Sequence, residues 1–129
     1  MTRSLQPYSH FKLHGASFKF YLGDSLTVLD QLRRGSIDTI ITSPPYNLGI
    51  RYRSYDDTIP RADYLAWTGE WVQRAAAALA SDGSLFLNVG AKPTDPWTAL
   101  DVAQAVRSHL HLQDRKSTRL NSSHVSESR

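Results

Sequence analysis

Residues 36–47 read Ser-Ile-Asp-Thr-Ile-Ile-Thr-Ser-Pro-Pro-Tyr-Asn, and the fold is decided there. Ile37, Ile40 and Ile41, followed by Thr42, form a compact β-branched run of the kind that suits a strand buried in a parallel sheet. The run ends abruptly at Ser43-Pro44-Pro45, because proline gives no N–H to a ladder and fixes its own φ. A polar, tyrosine-rich loop from Tyr46 to Thr58 follows. Pro60 then opens a helix through about Ala80 carrying Tyr64, Leu65, Trp67, Trp71 and Val72, and Ser81-Asp82-Gly83 turns it into a strand with Leu85, Phe86, Leu87 and Val89. Asp95-Pro96 makes an N-cap and first-position pair for a further helix containing Leu100, Val102, Ala103 and Val106.

Upstream, Phe11, Leu13, Phe18, Phe20 and Leu22 alternate with polar residues around Gly15, which predicts two short strands joined by a turn, the second closed by Gly23-Asp24. Leu26, Leu29 and Leu32 are spaced by three before Gly35, which predicts a short amphipathic helix. Strands and helices therefore alternate. That order predicts an open α/β sheet, in which ligands bind beyond the carboxyl ends of the strands.

Thr42 to Asn47 occupies such an end. Consecutive prolines stiffen the loop and turn its carbonyls outward as acceptors, which suits an amino group. Ser43 adds a side-chain oxygen, and Tyr46 offers a flat ring on which an extracted base can stack, worth roughly 1 to 3 kcal/mol per base. Asn47 reads equally as a turn residue and as a substrate contact. Arg51, Tyr52, Arg53 and Tyr55 alternate basic and aromatic groups that could meet a DNA backbone, although most such loops are simply solvated and Asp56 and Asp57 limit the charge. Trp67 and Trp71 share a helical face and are read as core. His109 and His111 have strand spacing without a third ligand, so no metal site is assigned.

These residues resemble the amino-methylating DNA methyltransferases, whose catalytic motif is written (D/N/S)-P-P-(Y/F/W). The resemblance extends beyond four letters, through Tyr21-Leu22-Gly23-Asp24-Ser25-Leu26, Ser36 to Ile41, Thr42 to Asn47, Trp67 to Ala80 and Asp82 to Leu87, and covers about residues 17–114. It implies a partial Rossmann-like sheet, three-layered and mostly parallel, using S-adenosylmethionine on double-stranded DNA. It also implies that Ser43 and the Pro44 carbonyl accept from the exocyclic amine of a flipped base, that Pro45 stiffens the motif, and that Tyr46 stacks on the base. Asp24 would contact the adenosine of the cofactor, its other reading being a helix N-cap. Serine at the first motif position favours N4 of cytosine over N6 of adenine. With the catalytic motif placed early, the chain resembles the permuted group, in which target recognition and a Gly-rich F-x-G-x-G cofactor motif come later. No such segment follows Asp114, and a truncated catalytic portion, with an open strand edge, is the expectation.

The chain has 129 residues, 15 basic and 12 acidic, for a net charge of +3. Residues 115–129 hold four of the basic side chains and one of the acids, so the preceding residues carry 11 of each and are neutral. The DNA reading therefore rests on the motif and not on net charge. Six of those last fifteen residues are Ser or Thr and only Leu120 and Val125 are aliphatic, a composition that predicts disorder and resembles translated adaptor read-through. The catalytic portion is accordingly placed at 10–114 and a non-native tail at 115–129. The absence of cysteine excludes disulfide frameworks, thiolate metal sites and the cysteine nucleophile that C5-cytosine methylation requires. Without an apolar run of about 18 residues or a signal peptide, no membrane role and a cytoplasmic location are expected.

Three other readings stand beside this one. Gly23-Asp24-Ser25-Leu26 spells the signature of the GDSL esterases, but that family's Asp-x-x-His and Gly-x-Asn-Asp patterns do not occur. Methylation of a glutamine amide or RNA base uses a similar loop that begins with Asn, where this chain has Ser43. An inactive fragment without the cofactor motif is the reading for the isolated chain.

Overall fold

The structure, a computed structural model, describes residues 5–49 and 58–116. Strands β1 (Ser9–Leu13) and β2 (Ala16–Phe20) form an antiparallel hairpin, followed by α1 (Ser25–Gln31), β3 (Ile37–Thr42), α2 (Arg61–Ala78), β4 (Leu79–Leu87) and α3 (Trp97–Arg107). Strands β3 and β4 pair in parallel, and α2 supplies the crossover that parallel neighbours need. The architecture is α/β, a small parallel sheet with helices, as the alternation predicts.

Helix α2 is the centre of the molecule. Tyr64, Trp71, Val72, Ala75 and Ala78 are buried on it, and Leu26 and Leu29 of α1, Ile40 of β3, Leu85 and Leu87 of β4, and Val106 of α3 close around Trp71, Val72 and Ala75. The leucine spacing in α1 and the helical stripe in α2 thus become one core. Trp71 lies in that core with Trp67 packed beside it, as their four-residue spacing predicts. Thr68, also buried, satisfies its hydroxyl on the Tyr64 carbonyl at 2.8 Å, one turn back. Arg61 at the start of α2 joins Asp95 and Asp101 in ion pairs and donates to Thr98 Oγ1 at 2.9 Å, which fastens α3. Arg74 reaches Asp30 at 2.8 Å and holds the end of α1.

The first strands depart from the expected arrangement. Among the described strands, β2 pairs only with β1, so the Gly23-Asp24 end is not hydrogen-bonded beside β3. Phe11, Phe18 and Phe20 satisfy one another across the hairpin instead, with ring centroids 5.0 and 5.8 Å from Phe11. Helix α2 also ends two residues early, and Ser81-Asp82-Gly83, expected as a free turn, is absorbed into β4. Ile37 faces Leu79 but Thr39 faces Ser84, so the extra residues bulge out. Gly83 sits where a Cβ would lie 3.0 Å from the Ala80 carbonyl oxygen and 3.1 Å from that of Asp38.

Two smaller corrections concern α3. Pro96, not Asp95, occupies the cap position, and the Asp95 carboxylate serves Arg61 and the Thr98 hydroxyl. His109 lies in the turn after α3 and not in a strand. One face of the parallel sheet carries no covering layer among the described residues: Ile41 and Phe86, partners in the ladder, are 80% and 60% exposed. No described helix is long and apolar enough to cross a membrane.

Candidate active site at the strand ends

Parallel pairing delivers both strand ends to the same level. Thr42 stands opposite Leu87, and the Asn88 N–H extends the ladder by donating to the Thr42 carbonyl at 3.0 Å. Ser43 and Asn88, the next residues on each strand, are both exposed at this end. Tyr46 joins them: its hydroxyl oxygen lies 2.6 Å from Ser43 Oγ and accepts from Asn88 Nδ2 at 2.8 Å.

The ring of Tyr46 rests on the backbone of Gly90. A Cβ placed on Gly90 would fall 2.6 Å from Tyr46 Cδ2, 2.9 Å from Cε2 and 3.0 Å from Cγ, so the seat exists because residue 90 has no side chain. Beneath the loop, Tyr64 donates its hydroxyl to the Pro45 carbonyl at 2.7 Å. That bond fixes one of the two proline carbonyls from the core, and among the described residues the Pro44 carbonyl has no hydrogen-bond partner. Asn47 adopts φ +58, a left-handed conformation that asparagine tolerates, and its Nδ2 donates to the Ile59 carbonyl at 2.8 Å. That bond ties the start of the loop to the residue before Pro60.

The structure thus brings Ser43, Pro44, Pro45 and Tyr46 to one strand end. Asp24 takes the N-cap of α1, where Oδ1 accepts from the Leu26 N–H at 2.9 Å and the Thr27 N–H at 3.3 Å. Oδ2 has no hydrogen-bond partner among the described residues. Arg51 and Arg53 lie outside the described residues. Ser25, the esterase candidate, begins α1 with no histidine hydrogen-bonded to it among the described residues.

Three site residues escape the sequence reading. Tyr64 looks like one more apolar-face residue of α2, and only its hydroxyl hints at a buried acceptor. Asn88 interrupts the apolar run Leu85-Phe86-Leu87 just where a strand of this class meets ligand. Gly90 follows two residues later, and an isolated glycine there marks a close approach.

Comparison with known proteins agrees with this setting. A family model described as DNA methylase, of the N6/N4 methyltransferase type, matches residues 37–125. The chain is 56% identical over 54 residues to the type II methyltransferase M.MjaVI of Methanocaldococcus jannaschii, covering 42% of this chain and 28% of that protein. It is 36% identical over 73 residues to the type II methyltransferase M.ScaI of Streptomyces caespitosus, covering 57% and 23%. To the type II methyltransferase M.BglII of Bacillus subtilis it is 34% identical over 77 residues, covering 60% and 21%. The chain thus spans less than a third of the length of each of these relatives.

Proposed function

The chain belongs to the amino-methylating, N6/N4 DNA methylase family, and on that premise we propose that it forms the catalytic strand end of a methyltransferase acting on the exocyclic amine of a base in double-stranded DNA. The observation that carries the reading is the exposed Ser43 at the carboxyl end of β3, hydrogen-bonded at 2.6 Å to the half-buried Tyr46 beside two prolines. Of the two target amines, Ser43 favours N4 of cytosine.

An aryl amine is a poor nucleophile because its lone pair is delocalised into the ring. Acceptors that hold its hydrogens out of the ring plane localise that pair where it must react. Ser43 Oγ and the Pro44 carbonyl are the acceptors, and the Tyr46 ring supports a base that has left the duplex stack. The prolines keep the acceptors in place before the base arrives, so little ordering remains to be done at the moment of reaction.

Asp24 fits S-adenosylmethionine through its donor set, since one carboxylate oxygen caps α1 and the second is left to accept from the hydroxyls or amine of the adenosine. The group, when bound, would supply an electrophilic sulfonium methyl for the amine that Ser43 and the Pro44 carbonyl orient. Arg51 and Arg53 are assigned to the DNA backbone. The portion concerned is residues 10–114.

The test is expression of the chain within its complete reading frame, incubation with duplex DNA and labelled S-adenosylmethionine, and nucleoside analysis of the product. N4-methylcytosine is the expected product. N6-methyladenine would reverse the choice of base, and unlabelled DNA would overturn the reading.

A further inference from the structure

On the reading above, Ser43 must meet the amine with a free lone pair and Tyr46 must present its ring at a fixed angle. We propose that Asn88 and Gly90 are positioning residues that hold Tyr46, and through it Ser43, in the geometry the amine requires. The inference rests on that reading for its purpose and on the strand-end geometry for its content.

The ring is fixed at both ends. Gly90 lies against Cγ, Cδ2 and Cε2, and Asn88 Nδ2 donates to the hydroxyl at 2.8 Å. A tyrosine has two side-chain angles, and a seat under the ring together with a bond at its tip determines both. Among the described residues, the partners of that hydroxyl are Asn88 and Ser43. Ser43 Oγ carries two lone pairs and one proton. Whichever hydroxyl donates in the pair, at least one lone pair of Ser43 remains for the amine, and the bond keeps Ser43 from rotating away.

Core stability does not account for Asn88. It is exposed, touches the core through no side-chain hydrogen bond, and would be replaceable by many residues if it only ended a strand. Its polar contact reaches Tyr46, the side chain that among the described residues bridges both strand ends. The ladder sets this up, because the pairing of Thr42 with Leu87 brings residues 43 and 88 level.

The test has two arms. In the 129-residue chain, NMR of the Asn88 side-chain amide compares the unmodified protein with Tyr46→Phe, which keeps the ring on Gly90 and removes the hydroxyl. The amide resonances are expected to move and their exchange with water to accelerate; unmoved resonances overturn the seat. In the complete enzyme, Asn88→Ala and Tyr46→Phe are each expected to lower kcat about tenfold with KM for DNA unchanged. The double variant should be no slower than the slower single, because both remove one shared contact. A kcat of Asn88→Ala within about twofold of an active parent, or additive losses, overturns the positioning role. A parent that transfers no methyl group overturns the functional reading instead, and the amide resonances then decide the seat by themselves.

Discussion

Tyr64 Oη donates across 2.7 Å to the carbonyl of Pro45, which ties a side chain only 2% exposed in the α2 core to the stiffest point of the strand-end loop. Helix packing and loop geometry are therefore one problem in this molecule. Displacing α2 displaces the loop.

Tyr64→Phe keeps the buried ring and removes the bond. A net loss of about 1 kcal/mol is expected, read as a lower urea midpoint with an unchanged denaturant slope. In the complete enzyme the same variant should lower kcat, since the loop loses its anchor while its own residues are intact.

Ser43→Ala should leave folding untouched, because Ser43 is exposed and outside the core. Removing an acceptor aimed at the reacting group is expected to lower kcat about a hundredfold with KM for DNA nearly constant. Steady-state kinetics on the complete enzyme measures both. Equal rates for variant and parent would remove Ser43 from the mechanism.

Gly83→Ala should destabilise by roughly 1 to 2 kcal/mol. The added methyl meets two backbone carbonyl oxygens at 3.0 and 3.1 Å, and neither is the mobile end of a side chain. Thermal or urea unfolding of the 129-residue chain would show it.

Trp71→Ala and Phe86→Ser separate the two faces of the sheet. Trp71 is 6% exposed in the core and its truncation should cost about 3 to 5 kcal/mol, whereas Phe86 is 60% exposed and its replacement should change stability by less than about 0.5 kcal/mol. Phe86→Ser is also expected to raise the solubility of the chain, measured by light scattering at increasing concentration.

Calorimetric titration of the 129-residue chain with S-adenosylmethionine should give no tight binding. Asp24 offers one carboxylate oxygen not already used in capping α1, and one such contact is too little to hold a cofactor of this size tightly. Micromolar binding would show that the residues present suffice.

Local patterns carried most of this fold into view. The Ile-rich run, the proline stop and the leucine spacing each report a property of consecutive residues, and β3, the loop and α1 lie where they point. The partner of β2 was not legible, because alternation specifies that a residue sits in a strand and not which strand lies beside it. The bulge in β4 was missed for a related reason: Ser-Asp-Gly is turn chemistry, and only the approach of Asp38 from β3 makes it part of a ladder. At the site, the residues in the motif were visible from their types. Tyr64, Asn88 and Gly90 were not, since each acts through a contact 19 to 44 residues away in the chain.

The bulge between Ile37 and Thr39 divides the strand pair into an irregular start and a regular end. Five steps along β4, from Leu79 to Ser84, are matched by two along β3, so the irregularity lies at the end remote from the site. The bulge is closely packed, with Gly83 against the Ala80 and Asp38 carbonyls, while the ladder from Ser84 to Leu87 runs in step with Thr39 through Thr42. The alignment of Ser43 with Asn88 is therefore inherited from the regular half of the pair, Thr39–Ser84 through Thr42–Leu87, and not from the irregular start.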